Sequence, residues 1–135
     1  MRLLYSLGIH LYGLLLRLIA PFHPKAKLWV NGRRDWYARM SQTVETGQNY
    51  IWFHFASLGE FEQGRAVLEG VKKDFPLKKI VITFYSPSGY EVRKNTKLAD
   101  YVFYLPEDTA KNAKQFIDLI HPEFVVFTKY EYWYY

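Results

Sequence analysis

Residues 50–60 read YIWFHFASLGE, and the fold follows from how this stretch is interpreted. Tyr50–Ala56 is a continuous apolar run rich in aromatics, the pattern of a strand buried on both faces. Ser57-Leu-Gly-Glu60 follows directly and opens a helix, because Ser57-x-x-Glu60 is a capping box that satisfies free amides at a helix start. Phe61, Gly64, Val67, Leu68, Val71 and Phe75 then recur at helical spacing until Pro76 stops the run.

The same unit repeats downstream. Lys79–Tyr85 (KIVITFY) reads as a second strand, Ser86-Pro87-Ser88-Gly89 as a turn, and a short helix follows. Asp100–Leu105 (DYVFYL) reads as a third strand ended by Pro106. Asp108 or Thr109 can cap a helix whose apolar face is Ala110, Ala113, Phe116, Ile117 and Ile120. His121-Pro122 ends that helix, and Glu123–Thr128 (EFVVFT) reads as a fourth strand. Strand and helix alternate and the strands are apolar throughout. The expected fold class is therefore α/β, a Rossmann-like parallel sheet with helices on both faces.

Upstream the character changes. Residues 1–40 carry a net charge of +6, whereas residues 41–135 carry −1. Leu3–Leu16 holds no charged residue, and Leu, Ile and Tyr dominate it. The run is shorter than the roughly 20 apolar residues of a transmembrane helix. Asn31–Met40 mixes Arg33, Arg34 and Arg39 with Trp36 and Tyr37, a combination suited to the headgroup region of an anionic leaflet. Residues 1–40 are read as a membrane-associated helical segment, with Arg33, Arg34, Trp36 and Arg39 as its membrane contacts, and residues 41–135 as the Rossmann-like domain. No nucleic-acid motif accompanies the arginines, and the body of the chain is slightly acidic, which speaks against nucleic acid as a partner.

Composition excludes several classes. With 135 residues, 50% hydrophobic and 23% charged, the chain is globular and of single-domain size. It contains no cysteine, which excludes disulfide scaffolds and cysteine-based metal sites. The four histidines are scattered without metal-ligand spacing, so no metal site is expected. His54, inside the first strand, is expected to be a hydrogen-bonded core residue. The dinucleotide fingerprint, the phosphate loop and the nucleophile elbow are all missing from the sequence.

Ligands of such sheets bind beyond the carboxyl ends of the strands, where strand order reverses. With the order 3-2-1-4, the loops after strands one and four meet there, carrying Glu60 and Glu131. A carboxylate in that position can serve as a general base on a hydroxyl. The residues leave both readings of Glu60, cap and base, open. Ser86, Ser88 and Gly89 lie at a helix start and can hold a phosphate, or simply make the turn.

Four segments together resemble one family, the 3-deoxy-D-manno-octulosonic acid (Kdo) transferases. Residues 52–60 match W-x-H-x-x-S-x-G-E, residues 83–89 are similar to T-x-x-[ST]-P-[ST]-G, and residues 104–108 match Y-L-P-x-D. Residues 129–134 resemble E-x-E-L-W-P, with Lys129 in place of the first Glu, Glu131 as the second, and Tyr134 in place of the Pro. The resemblance implies the N-terminal half of a GT-B glycosyltransferase that moves Kdo from CMP-Kdo to a lipid A precursor during lipopolysaccharide synthesis. It further implies an inverting reaction with no cofactor or active-site metal, at the cytoplasmic face of the bacterial inner membrane. Glu60 becomes the proposed base and Glu131 a second acid. Ser57, Gly59, Ser86, Ser88 and Gly89 become acceptor or phosphate contacts. The CMP-Kdo site would belong mostly to a C-terminal domain outside this chain, so the fragment alone is expected to be inactive. The competing expectation is a non-catalytic membrane-surface module with a Rossmann-like domain.

Overall fold

The structure is a computed structural model, and it describes residues 1–129 and 133–135. Ten elements follow in order: α1 (Arg2–Ile19), α2 (Pro24–Arg33), α3 (Trp36–Thr43), β1 (Tyr50–Phe55), α4 (Leu58–Asp74), β2 (Lys79–Phe84), α5 (Pro87–Arg93), β3 (Tyr101–Tyr104), α6 (Ala110–Ile120) and β4 (Pro122–Phe127). The strands form one parallel sheet in the order β3-β2-β1-β4. From β1 the chain passes through α4 and α5 toward β3, then returns through α6 to place β4 on the other side of β1. The order therefore reverses between β1 and β4, at the switch point expected from the sequence.

Alternation along β1 builds two cores. Ile51, Phe53 and Phe55 pack with Phe61 and Leu68 of α4 and with Ile80, Ile82 and Phe84 of β2. Tyr50 and Trp52 point the other way and pack with Val81, Phe116 and Ile120. A strand with six buried residues has no solvent face, which is why its sequence shows no polar alternation. Helix α4 begins where Ser57 Oγ accepts from the Glu60 amide and ends at Phe75, ahead of Pro76. Its buried face is narrower than its apolar face, because Val67 and Phe75 stay exposed. Thr109 caps α6 by accepting from the Asn112 amide. Asp108 instead takes the Tyr134 amide at 2.8 Å and the Tyr5 hydroxyl.

The fourth apolar run forms the strand β4, as expected. It is an edge strand, with Phe124 at 60% and Phe127 at 43% exposure. The boundary expected at residue 40 falls inside α3. Met40 of that helix and Val44 belong to the same core cluster as Trp52 and Phe116. The helical segment is thus packed into the α/β body. Helix α1 contributes only Gly13 to the buried set, while Leu3, Leu4, Leu7, Leu14 and Leu18 are exposed. By length and composition alone α1 is long and apolar enough to cross a membrane.

Candidate active site

Hydrogen bonds between neighbouring loops gather the functional segments at the carboxyl edge of the sheet. The Ser86 amide donates to the Ala56 carbonyl at 2.8 Å, and the Tyr85 amide to the Phe55 carbonyl at 3.2 Å. On the other side of β1 the Thr128 amide donates to the His54 carbonyl at 3.4 Å. The loop carrying Ser57–Glu60 therefore lies between the Ser86 turn and the exit of β4. Gly64, one turn beyond Glu60, lets α4 approach closely: a Cβ there would lie 2.7 Å from Phe55 and 2.8 Å from Thr128 Oγ1.

Glu60 sits in the first turn of α4, half-buried. Its Oε2 accepts from the Ala56 amide at 2.7 Å, and its own amide donates to Ser57 Oγ at 3.5 Å. The capping interaction is real, but it reaches Ala56 and not the Ser57 amide of a standard capping box. It occupies one carboxylate oxygen. Oε1 makes no hydrogen bond among the described residues. A carboxylate clamped through one oxygen, near the positive end of a helix, can present the other to an incoming hydroxyl. Gly59 is exposed beside it, its nearest neighbour being Ser57 Oγ. Glu131 lies outside the described residues, as do Tyr130 and Tyr132.

Beneath the site, the Thr83 hydroxyl bonds Trp52 Nε1 and His54 Nδ1, each at 2.8 Å. His54 is fully buried on β1, in register with Thr83, and is the hydrogen-bonded core histidine expected from the sequence. The Ser86 side chain caps α5, accepting from the Ser88 amide at 3.3 Å and lying 3.0 Å from Ser88 Oγ. Gly89 does not fit the role of a phosphate contact. It is buried, and a Cβ at this position would lie 2.3 Å from Phe84, so it is a packing glycine.

Arg33 also requires correction. It was expected at the membrane, yet it is only 6% exposed. Its guanidinium lies 3.9 Å from the Trp29 ring centroid, 5.0 Å from Tyr85 and 5.1 Å from Tyr104, and it donates to the Tyr85 carbonyl at 2.8 Å. Burial pulls its pKa down to about 10, partly offset by the surrounding phenols and Glu107, so it remains a cation at neutral pH. Burial pushes the Tyr85 and Tyr104 phenols up from their ordinary range. The spacing of Trp29 and Arg33, four apart on one helix, was the available signal for this stack. Trp36 packs against the core beside Met40, while Arg34 and Arg39 are exposed.

These residues coincide with a known family. A family model described as 3-deoxy-D-manno-octulosonic-acid transferase (kdotransferase) matches residues 31–135. The chain belongs to the Kdo transferase family. The match begins within α2, so it takes in Arg33 as well as the sheet. The 3-deoxy-D-manno-octulosonic acid transferase of Aquifex aeolicus is 27% identical over 93 residues, covering 68% of this chain and 26% of that protein. The one from Haemophilus influenzae is 32% identical over 85 residues, covering 62% and 20%. The one from Chlamydia trachomatis serovar D is 29% identical over 85 residues, with the same coverage. The chain spans about a fifth to a quarter of the length of these curated Kdo transferases.

Proposed function

We propose that this chain is the acceptor-binding N-terminal part of a Kdo transferase, moving Kdo from CMP-Kdo to a lipid A precursor. The observation that carries the reading is Glu60: a carboxylate fixed by the Ala56 amide at the carboxyl edge of the sheet, whose other oxygen makes no hydrogen bond among the described residues. Glu60 takes the proton of the acceptor hydroxyl as that oxygen attacks the anomeric carbon, inverting it, and CMP leaves. No metal is assigned to the step. Glu131 is proposed as a second acid near the reaction centre, and the CMP-Kdo site is assigned mainly to the rest of the enzyme. Ser57, Gly59, Ser86 and Ser88, on adjoining loops, are proposed as acceptor contacts.

The exposed leucines of α1 support work at a membrane, proposed here as the cytoplasmic face of the inner membrane. The helix is tied to the body near both ends, through Tyr5 to Asp108 and Arg17 to Glu107. A helix held sideways in this manner supports a position in the plane of the leaflet. The test is Kdo transfer from CMP-Kdo to a lipid A precursor by the whole enzyme carrying this chain, beside its Glu60→Gln variant. The expected result is transfer by the parent and a loss of about 100- to 10,000-fold in kcat for the variant, the usual contribution of a general base. Transfer that survives the substitution returns Glu60 to helix capping. No transfer by a folded parent favours the membrane-surface module.

A further inference from the structure

Arg33 lies on α2, outside the loops of the candidate site, yet hydrogen bonds lead from it to Glu60. Its Nη2 donates to the Tyr85 carbonyl at 2.8 Å. That carbonyl shares a peptide unit with the Ser86 amide, which donates to the Ala56 carbonyl at 2.8 Å. The Ala56 amide in turn donates to Glu60 Oε2 at 2.7 Å. A second rung braces the first. The Tyr85 amide donates to the Phe55 carbonyl at 3.2 Å, and that carbonyl shares a peptide unit with the Ala56 amide. Each planar peptide passes the constraint on, since turning its carbonyl turns its amide as well. Three hydrogen bonds thus link a buried guanidinium to the carboxylate.

The guanidinium itself is held from the other side. Its Nη1 donates to the Trp29 carbonyl at 3.3 Å, and its centre lies 3.9 Å from the Trp29 ring centroid. Gly32 beside it brings α2 close to the exit of β3, for a Cβ there would lie 2.3 Å from the Tyr104 ring. A charged donor polarises the carbonyl it bonds, and hydrogen bonds in a chain strengthen one another away from water. Lysine would keep the charge but neither the fork nor the stacked plane. Merely holding α2 on the sheet needs no charge, because an apolar side chain of similar length fills such a place without desolvating a cation. What the guanidinium adds is the directed bond to the Tyr85 carbonyl. We infer that Arg33 is a positioning residue for Glu60, fixing its carboxylate through the Tyr85–Ser86 and Phe55–Ala56 peptides. The inference rests on the reading of Glu60 as the base and adds to it a residue that acts without touching the reacting atoms.

The test is a double-mutant cycle on the whole enzyme that carries this chain, with Kdo transfer as the readout. Arg33→Lys should lower kcat by about 10- to 100-fold, the scale of a misplaced catalytic group, and leave KM for both substrates within about twofold. In the Glu60→Gln background, where there is no base to place, Arg33→Lys should change kcat by less than about twofold. Arg33→Met removes the donor and the buried charge together. It should behave like Arg33→Lys in both backgrounds, and it serves where the lysine variant folds poorly. Equal losses in the two backgrounds mark a merely structural residue and overturn the inference, as does an Arg33→Met enzyme with the parental kcat. Hydrogen exchange follows the relay without any transfer: the Ala56 and Ser86 amides should exchange faster in both Arg33 variants. Unchanged exchange overturns the inference even where Glu60→Gln confirms the base. Full transfer by Glu60→Gln alone, or none by a folded parent, overturns the base reading and the inference with it.

Discussion

Thr83 shows how much one hydroxyl can carry in this site. It serves both Trp52 Nε1 and His54 Nδ1 in a buried layer directly under the loops of the candidate site. Thr83→Val keeps the shape and removes both bonds. The Trp52 N–H is then buried without a partner, which costs about 1–3 kcal/mol. Urea denaturation should show the midpoint falling while the slope stays constant; an unchanged midpoint would mean that the ring finds another acceptor. The motif residues at 52, 54 and 83 were legible in the sequence, but their shared hydrogen bonds were not, because the partners are 29 and 31 positions apart. Arg33 was illegible for a related reason. Beside Arg34 and Trp36 it looks like surface charge, and only the packing of α2 over Tyr85 and Tyr104 shows that it is enclosed.

Among the elements, the four strands and α4 were the most legible, because each is bounded by Pro, Gly or a capping Ser or Thr. The exposure of β4 was not legible: an apolar hexapeptide reads the same whether its neighbour on the sheet edge is present or absent. Helix α4 offers a sharper test of what packing adds to propensity. It contains two interior glycines, and propensity alone favours replacing either with alanine, by up to about 1 kcal/mol. A Cβ at Gly70 meets nothing within 4 Å, so Gly70→Ala should raise thermal stability. A Cβ at Gly64 would press into Phe55 and Thr128, and overpacking of this kind costs about 1–3 kcal/mol. Gly64→Ala should therefore lower it. Calorimetry on the two variants distinguishes the cases by sign, and a stabilised Gly64→Ala would show that α4 moves freely away from β1.

For the whole molecule, the N-terminal helices and the α/β body are joined by an aromatic seam around Arg33, and that seam sets the response to alkali. Tyr85 and Tyr104 have pKa values raised by burial, so the folded state retains their protons at a pH where the unfolded chain has released them. Stability from these groups is complete below about pH 10, the value of a free phenol, and is lost as pH rises beyond it. Arg33 acts in the opposite direction, because its folded value is lowered to about 10 and its deprotonation relieves the burial cost. Two raised phenols outweigh one lowered guanidinium, so the net slope above pH 10 is negative. The phenols should ionise with unfolding and not before it. Absorbance near 295 nm and far-UV circular dichroism, recorded together during an alkaline titration, should change in one step for the Tyr85 and Tyr104 component. Removing one phenol by Tyr104→Phe should weaken the alkaline loss of stability. A variant that unfolds at the same pH as the wild type would place the weak point of the molecule away from the seam.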